Sequence, residues 1–96
     1  MPTYVVLSRL TDEGRKTLKN KPERIKEVNE DLKDMGAEIL DQYAVFGRYD
    51  FVNILEVPDH ETMTQISVEI GSRGSVKLET LQAFDIDDFI HGISER

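Results

Sequence analysis

The segment that decides the fold runs from Ala37 to Val57: Ala37-Glu38-Ile39-Leu40-Asp41-Gln42-Tyr43-Ala44-Val45-Phe46, then Gly47-Arg48, then Tyr49-Asp50-Phe51-Val52-Asn53-Ile54-Leu55-Glu56-Val57. Two runs rich in β-branched and aromatic residues flank a glycine turn, which predicts a β-hairpin with strands over 37–46 and 49–57. Side chains alternate along a strand, so an even-numbered loop puts Leu40, Gln42, Ala44 and Phe46 on one face with Phe51, Asn53, Leu55 and Val57. That face carries no charge. Its reverse mixes Ile39, Tyr43, Val45, Val52 and Ile54 with Asp41 and Glu56. Helices are expected over the uncharged side, with the mixed side left bare.

The flanking sequence supplies those helices. Upstream, Ile25, Val28, Leu32 and Met35 recur at helical spacing after Pro22-Glu23 and stop at Gly36. Downstream, Asp59 is placed to cap a helix whose apolar stripe is Met63, Ile66 and Ile70, with Gly71 as its stop. Further out, Tyr4 to Leu10 reads as a first strand ending at the cap-and-turn pair Thr11-Asp12, followed by a short helical turn through Leu18. Val76 to Phe84 reads as a fourth strand. It divides into Val76, Leu78, Thr80, Gln82 and Phe84 against Lys77, Glu79, Leu81 and Ala83, and Asp85 can cap a short terminal helix through Ile90. The order β-α-β-β-α-β predicts one α+β domain over residues 1–96, ferredoxin-like, with a four-stranded antiparallel sheet covered on one face. The bare face would then expose Val5, Leu7, Val45, Val52, Ile54 and Leu81, more apolar surface than a monomer ordinarily leaves in water. A second copy of the chain, in a homodimer or a larger assembly, is the expected cover.

Size and composition agree with that expectation. A chain of 96 residues buries a limited share of its surface, and with no cysteine it has neither disulfides nor thiolate metal sites to supplement a small core. Oligomerisation is the remaining supplement. The lack of cysteine fits a reducing compartment, and neither a membrane span nor a targeting signal is visible, so a cytoplasmic location is expected. Residues 1–48 carry nine basic and nine acidic side chains, whereas residues 49–96 carry three and ten, placing the whole net charge of −7 in the second half. Such a field disfavours nucleic acid as a partner. The basic stretch Arg15, Lys16, Lys19, Lys21, Arg24 and Lys26 reads as a solvated face, with an anion site as its alternative.

Gly47-Arg48-Tyr49-Asp50 resembles the motif of the GYD family, in which glycine, a variable residue, tyrosine and aspartate join two strands. Tyr4-Val5-Val6-Leu7, Leu10-Thr11-Asp12-Glu13-Gly14, Pro22-Glu23-Arg24 and the stretch from Gly71 to Thr80-Leu81-Gln82-Ala83-Phe84 extend the resemblance along most of the chain. It implies a dimeric α/β-barrel relative whose members have no established activity. The wider barrel class includes monooxygenases, isomerases and haem enzymes, but a fold alone transfers none of these activities.

The candidate chemistry is sparse. Tyr49 beside Asp50 offers an acid–base or ligand-holding pair, set against a structural role in which Gly47 supplies positive φ and Asp50 binds turn donors. His60 and His91 lack the spacing of a metal pair, Asp85-Ile86-Asp87-Asp88 lacks the calcium-loop pattern, and Gly71-Ser72-Arg73-Gly74-Ser75 leaves a helix instead of opening one. No metal or cofactor is expected. Polar residues on the uncharged face, namely Ser8, Gln42, Asn53, Thr80 and Gln82, suggest a pocket between sheet and helices with Asn53 at its centre and Tyr4, Phe51 and Phe84 as walls. The candidate ligand-binding residues are therefore Tyr49, Asp50, Asn53, Gln42, Gln82 and His60. The sequence favours a non-catalytic small-molecule-binding or assembly module. Its rivals are a cofactor-independent enzyme acting on a small organic substrate and a module that binds another protein or nucleic acid.

Overall fold

A computed structural model describes residues 1–94. Its elements are β1 (Thr3–Leu10), α1 (Asp12–Asn20), α2 (Arg24–Asp34), β2 (Glu38–Ala44), β3 (Phe51–Glu56), α3 (His60–Ser72), β4 (Val76–Ala83) and α4 (Ile86–Ser94). The four strands form one antiparallel sheet in the order β2-β3-β1-β4, so β3 lies beside β1 as the ferredoxin-like order requires. The sheet is open and does not close on itself.

Local signals account for most of the boundaries. The Thr11 hydroxyl accepts the Gly14 N–H at 3.1 Å and donates to the Gly74 carbonyl at 2.7 Å, which starts α1 and ties it to the entry of β4. A side chain at Gly14 would have its Cβ only 2.1 Å from the Ser75 carbonyl oxygen, so glycine is what lets α1 approach β4. The Asp59 carboxylate accepts the Thr62 N–H at 2.8 Å and caps α3. The expected short turn after β1 is a full helix through Asn20, and the terminal helix extends past Ile90 to Ser94. Gly71 does not stop α3, because it keeps helical backbone; the chain turns at Gly74, with φ +81°.

The register settles the two faces. Gln42 pairs with Asn53 and Ala44 with Phe51, and Val45 N–H donates to the Asp50 carbonyl at 2.9 Å, leaving residues 46–49 as an even-numbered loop. The predicted parity therefore holds near the turn. It fails at the far end, where a bulge between Ile39 and Asp41 pairs Ile39 with Leu55. One extra residue reverses the alternation, so Ile39 joins the helix side and Leu40 is exposed. Phe46, expected on the helix side, lies beyond the end of β2 and is fully exposed.

The core is Tyr4, Val6, Leu32, Ala37, Leu55, Val57, Met63, Ile66 and Ile70, all between the sheet and α2 or α3 or at the strand ends. On β1 the helix side is Tyr4, Val6 and Ser8, all buried, whereas Val5 and Leu7 on the other side are only half-covered. α4 stands apart from this core. Every one of its described residues is exposed, including Ile86, Phe89, Ile90 and Ile93, and the exposed ring of Phe84 lies tilted against that of Phe89 with centres 6.2 Å apart.

Candidate functional site

The glycine-tyrosine-aspartate turn divides its polar groups between the two sides of the hairpin. Gly47 has φ +119°, and nothing lies within 4 Å of where a Cβ would stand, so backbone conformation alone demands glycine there. Asp50 faces inward to backbone. Its Oδ2 accepts the Leu10 N–H at 2.7 Å, its own N–H donates to the Ser8 carbonyl at 2.8 Å, and Arg15 lies 3.9 Å from the carboxylate. The residue thus ties the β2–β3 turn to the end of β1. Tyr49 reaches the opposite way, its hydroxyl donating to Glu79 Oε2 of β4 at 2.8 Å while the Arg48 guanidinium lies 6.0 Å from its ring centre. The hydrogen bond to Glu79 and that carboxylate's charge hold the Tyr49 phenol above its ordinary pKa. A phenol held in its neutral form is poorly placed to act as a base near neutral pH.

His60 stands at the other end of the sheet. Its Nδ1 is hydrogen-bonded to the Tyr4 hydroxyl, and the two rings meet edge to face with centres 6.0 Å apart. Tyr4 and Leu10, the β1 residues that contact His60 and Asp50, are six positions apart, or about 20 Å along a strand. Tyr49, Asp50 and His60 therefore do not converge. Gln82 pairs with Tyr4 from the edge strand β4 and is exposed. Among the described residues, no group of His, Asp and Glu side chains is arranged to hold a metal ion.

Gln42 and Asn53 do come together, with a third amide that the strand reading did not include. Asn29 of α2 and Gln42 exchange two hydrogen bonds of 2.9 Å, Gln42 Nε2 donates to Asn53 Oδ1 at 2.8 Å, and Asn53 Nδ2 reaches the Val6 carbonyl at 3.4 Å. Asn29 could have been found from helix spacing: in the stripe Ile25, Val28, Leu32 it occupies the position four residues after Ile25, which faces the core. The amide row borders a cavity of about 130 Å³ between the sheet and the helices. Ser8, Gln42, Phe51 and Asn53 line this cavity as the polar pattern predicts, while Thr80, Gln82, Tyr4 and Phe84 lie outside it. Arg73, at the end of α3, closes one part of the rim by pairing with Asp31 of α2 at 2.8 Å and with Glu69 at 3.1 Å. These two carboxylates, Asp31 foremost, raise the pKa of the Arg73 guanidinium.

A Thermus thermophilus protein named glutamine synthetase and cystathionine beta-lyase binding protein is 52% identical over 91 residues, covering 94% of this chain and 96% of that protein. The crystal structure of FFRP-DM1 matches with a TM-score of 0.59 at 26% identity, over 88% of this chain and 100% of that one. The hypothetical protein PHS023 from Pyrococcus horikoshii matches with a TM-score of 0.58 at 25% identity, over 88% and 92% of the two chains. The family model described as GYD domain matches residues 4–93, which take in β2, β3, β4, all of β1 but Thr3, and the turn built on Gly47, Tyr49 and Asp50; the chain belongs to the GYD family.

Proposed function

We propose that this chain is a non-catalytic interaction module that pairs with copies of itself through the bare sheet face and binds other proteins. The observation that carries this reading is its 52% identity, over nearly the full length of both chains, to a protein named for binding glutamine synthetase and cystathionine beta-lyase. The division of the sheet supports it. Val5, Leu7, Val52, Ile54 and Leu81 share the helix-free side with Tyr43, and Arg9 and Lys77 lie there among Asp41, Glu56 and Glu79. An apolar centre with charges of both signs around it suits a self-complementary interface. The dispersal of Tyr49, Asp50 and His60 argues against the enzyme reading, since acid–base catalysis needs its groups within reach of one substrate.

The test has two arms. Light scattering at micromolar concentration should give a dimer or larger species for the wild type and a smaller one for Val52→Asp. Calorimetric titration with glutamine synthetase and with cystathionine beta-lyase from the same source should give saturable binding to at least one. A folded wild-type monomer removes the self-association half, and no heat with either enzyme removes the hetero-association half.

A further inference from the structure

We infer that the hollow between the sheet and the helices is a binding site for a small neutral organic molecule of about one aromatic ring, carrying one hydrogen-bonding group that meets Ser8. The cavity measures about 130 Å³. A single water needs only about 10–15 Å³ on such a measure, and an apolar cavity of roughly 150 Å³ accommodates benzene. Val6, Leu55 and Leu78 form much of its floor and Val28, Leu32 and Ile66 much of its roof, so its walls are mainly aliphatic. Gln42 and Arg73, both exposed, stand in its lining, so the hollow is open to solvent on that side and a ligand can enter.

The polar groups in the lining determine what kind of molecule fits. Arg24 is engaged by Glu27 at 3.0 Å, and Arg73 by Asp31 and Glu69, so both lining cations already hold carboxylates. An anionic ligand would have to displace one of them. The amides of Asn29, Gln42 and Asn53 are likewise occupied with one another and with the Val6 carbonyl. Ser8 differs. It is 5% exposed, the one polar residue in the buried set, and its side chain makes no hydrogen bond among the described residues. No side-chain oxygen or nitrogen there is both sealed and unpartnered, so the hydroxyl's residual exposure is to the hollow it lines. A hydroxyl that faces the hollow with no side-chain or backbone partner is free to donate a hydrogen bond to a ligand hydroxyl or carbonyl placed there, or to accept one from such a hydroxyl. Phe51, directly across from Ser8 in the β1–β3 register, supplies an aromatic wall beside that group.

The site lies on the opposite side of the sheet from the proposed self-association surface, so the two readings stand or fall separately. Methyl and amide NMR of the wild type titrated with benzyl alcohol, toluene and benzoate tests it. Benzyl alcohol at millimolar concentration should shift Val6, Leu55 and Ile66 saturably, and benzoate should not. Ser8→Ala should weaken benzyl alcohol by about 2- to 10-fold, the equivalent of one neutral hydrogen bond, while leaving toluene unchanged. Val28→Phe, which fills the hollow, should abolish binding of both; if that variant fails to fold, the Ser8→Ala comparison decides alone. The proposal is overturned by an absence of saturable shifts in the lining, by shifts confined to Phe84, Phe89 and Ile93, by benzoate binding as well as benzyl alcohol, or by equal losses of toluene and benzyl alcohol in Ser8→Ala.

Discussion

Asn53 and Ile54 are neighbours in β3, yet their surroundings differ as much as any two regions of the molecule. On the Asn53 side, Leu55 is 2% exposed, and the amides of Asn29, Gln42 and Asn53 satisfy one another at the edge between α2 and the sheet. On the Ile54 side, an aliphatic row runs through Val5, Leu7, Val52 and Leu81 with no helix over it. The helix-covered side holds the contacts that make one chain fold, and the bare side holds apolar surface that no helix covers. Stability and assembly are therefore expected to respond to different substitutions, one residue apart.

The sharpest break of that comparison is Leu55→Ala against Ile54→Asp. Leu55→Ala should destabilise the fold by about 2–5 kcal/mol at any protein concentration, because its cavity opens in the core. Ile54→Asp should leave urea melts of dilute protein nearly unchanged but shift the assembly equilibrium by several kcal/mol, since it would place an unpaired carboxylate in the proposed interface. Light scattering beside the melts separates the two. If Ile54→Asp unfolds the dilute protein as severely as Leu55→Ala, the bare face is part of the folding core and the division is wrong.

A smaller effect probes the turn that joins the two faces. Asp50→Ala should cost about 1–3 kcal/mol, because the Leu10 N–H loses its acceptor, and should leave assembly intact. Gly47→Ala comes next, at about 1 kcal/mol, from positive φ alone, whereas Arg48→Ala should hardly change the melt. Equal melting temperatures for Gly47→Ala and Arg48→Ala would remove the backbone argument.

The smallest effect is a pH dependence at the start of α3. The Thr62 hydroxyl and N–H hold the Asp59 carboxyl below its ordinary pKa of 3.8. A depressed carboxyl stabilises the fold above the unfolded value and loses that contribution as pH falls through the folded one. Asp59→Asn, which keeps a capping oxygen without the titration, should flatten the acid limb of stability below about pH 4. An unchanged acid limb would mean that other carboxylates set it.

Much of this was determined by sequence alone. Apolar spacing located the helices α2 and α3, alternation separated the two faces of β3 and β4, and Thr11, Gly36, Gly47 and Asp59 marked turns and caps, because each of these signals acts over a few residues. The ordered motifs identified the family for the same reason. The tertiary structure decided what depends on distant partners. A single bulge at Leu40 moved Ile39 to the core side, since strand parity survives only while no residue is inserted. Gly71 stayed helical because the turn was available at Gly74. Tyr49 and Asp50, adjacent in sequence, were separated by partners 30 and 40 residues away, Glu79 and Leu10. Alternation placed Ser8 on the covered face, but whether helices would close tightly over it or leave a hollow was set by how α1, α2 and α3 pack together, a property no short stretch of chain contains.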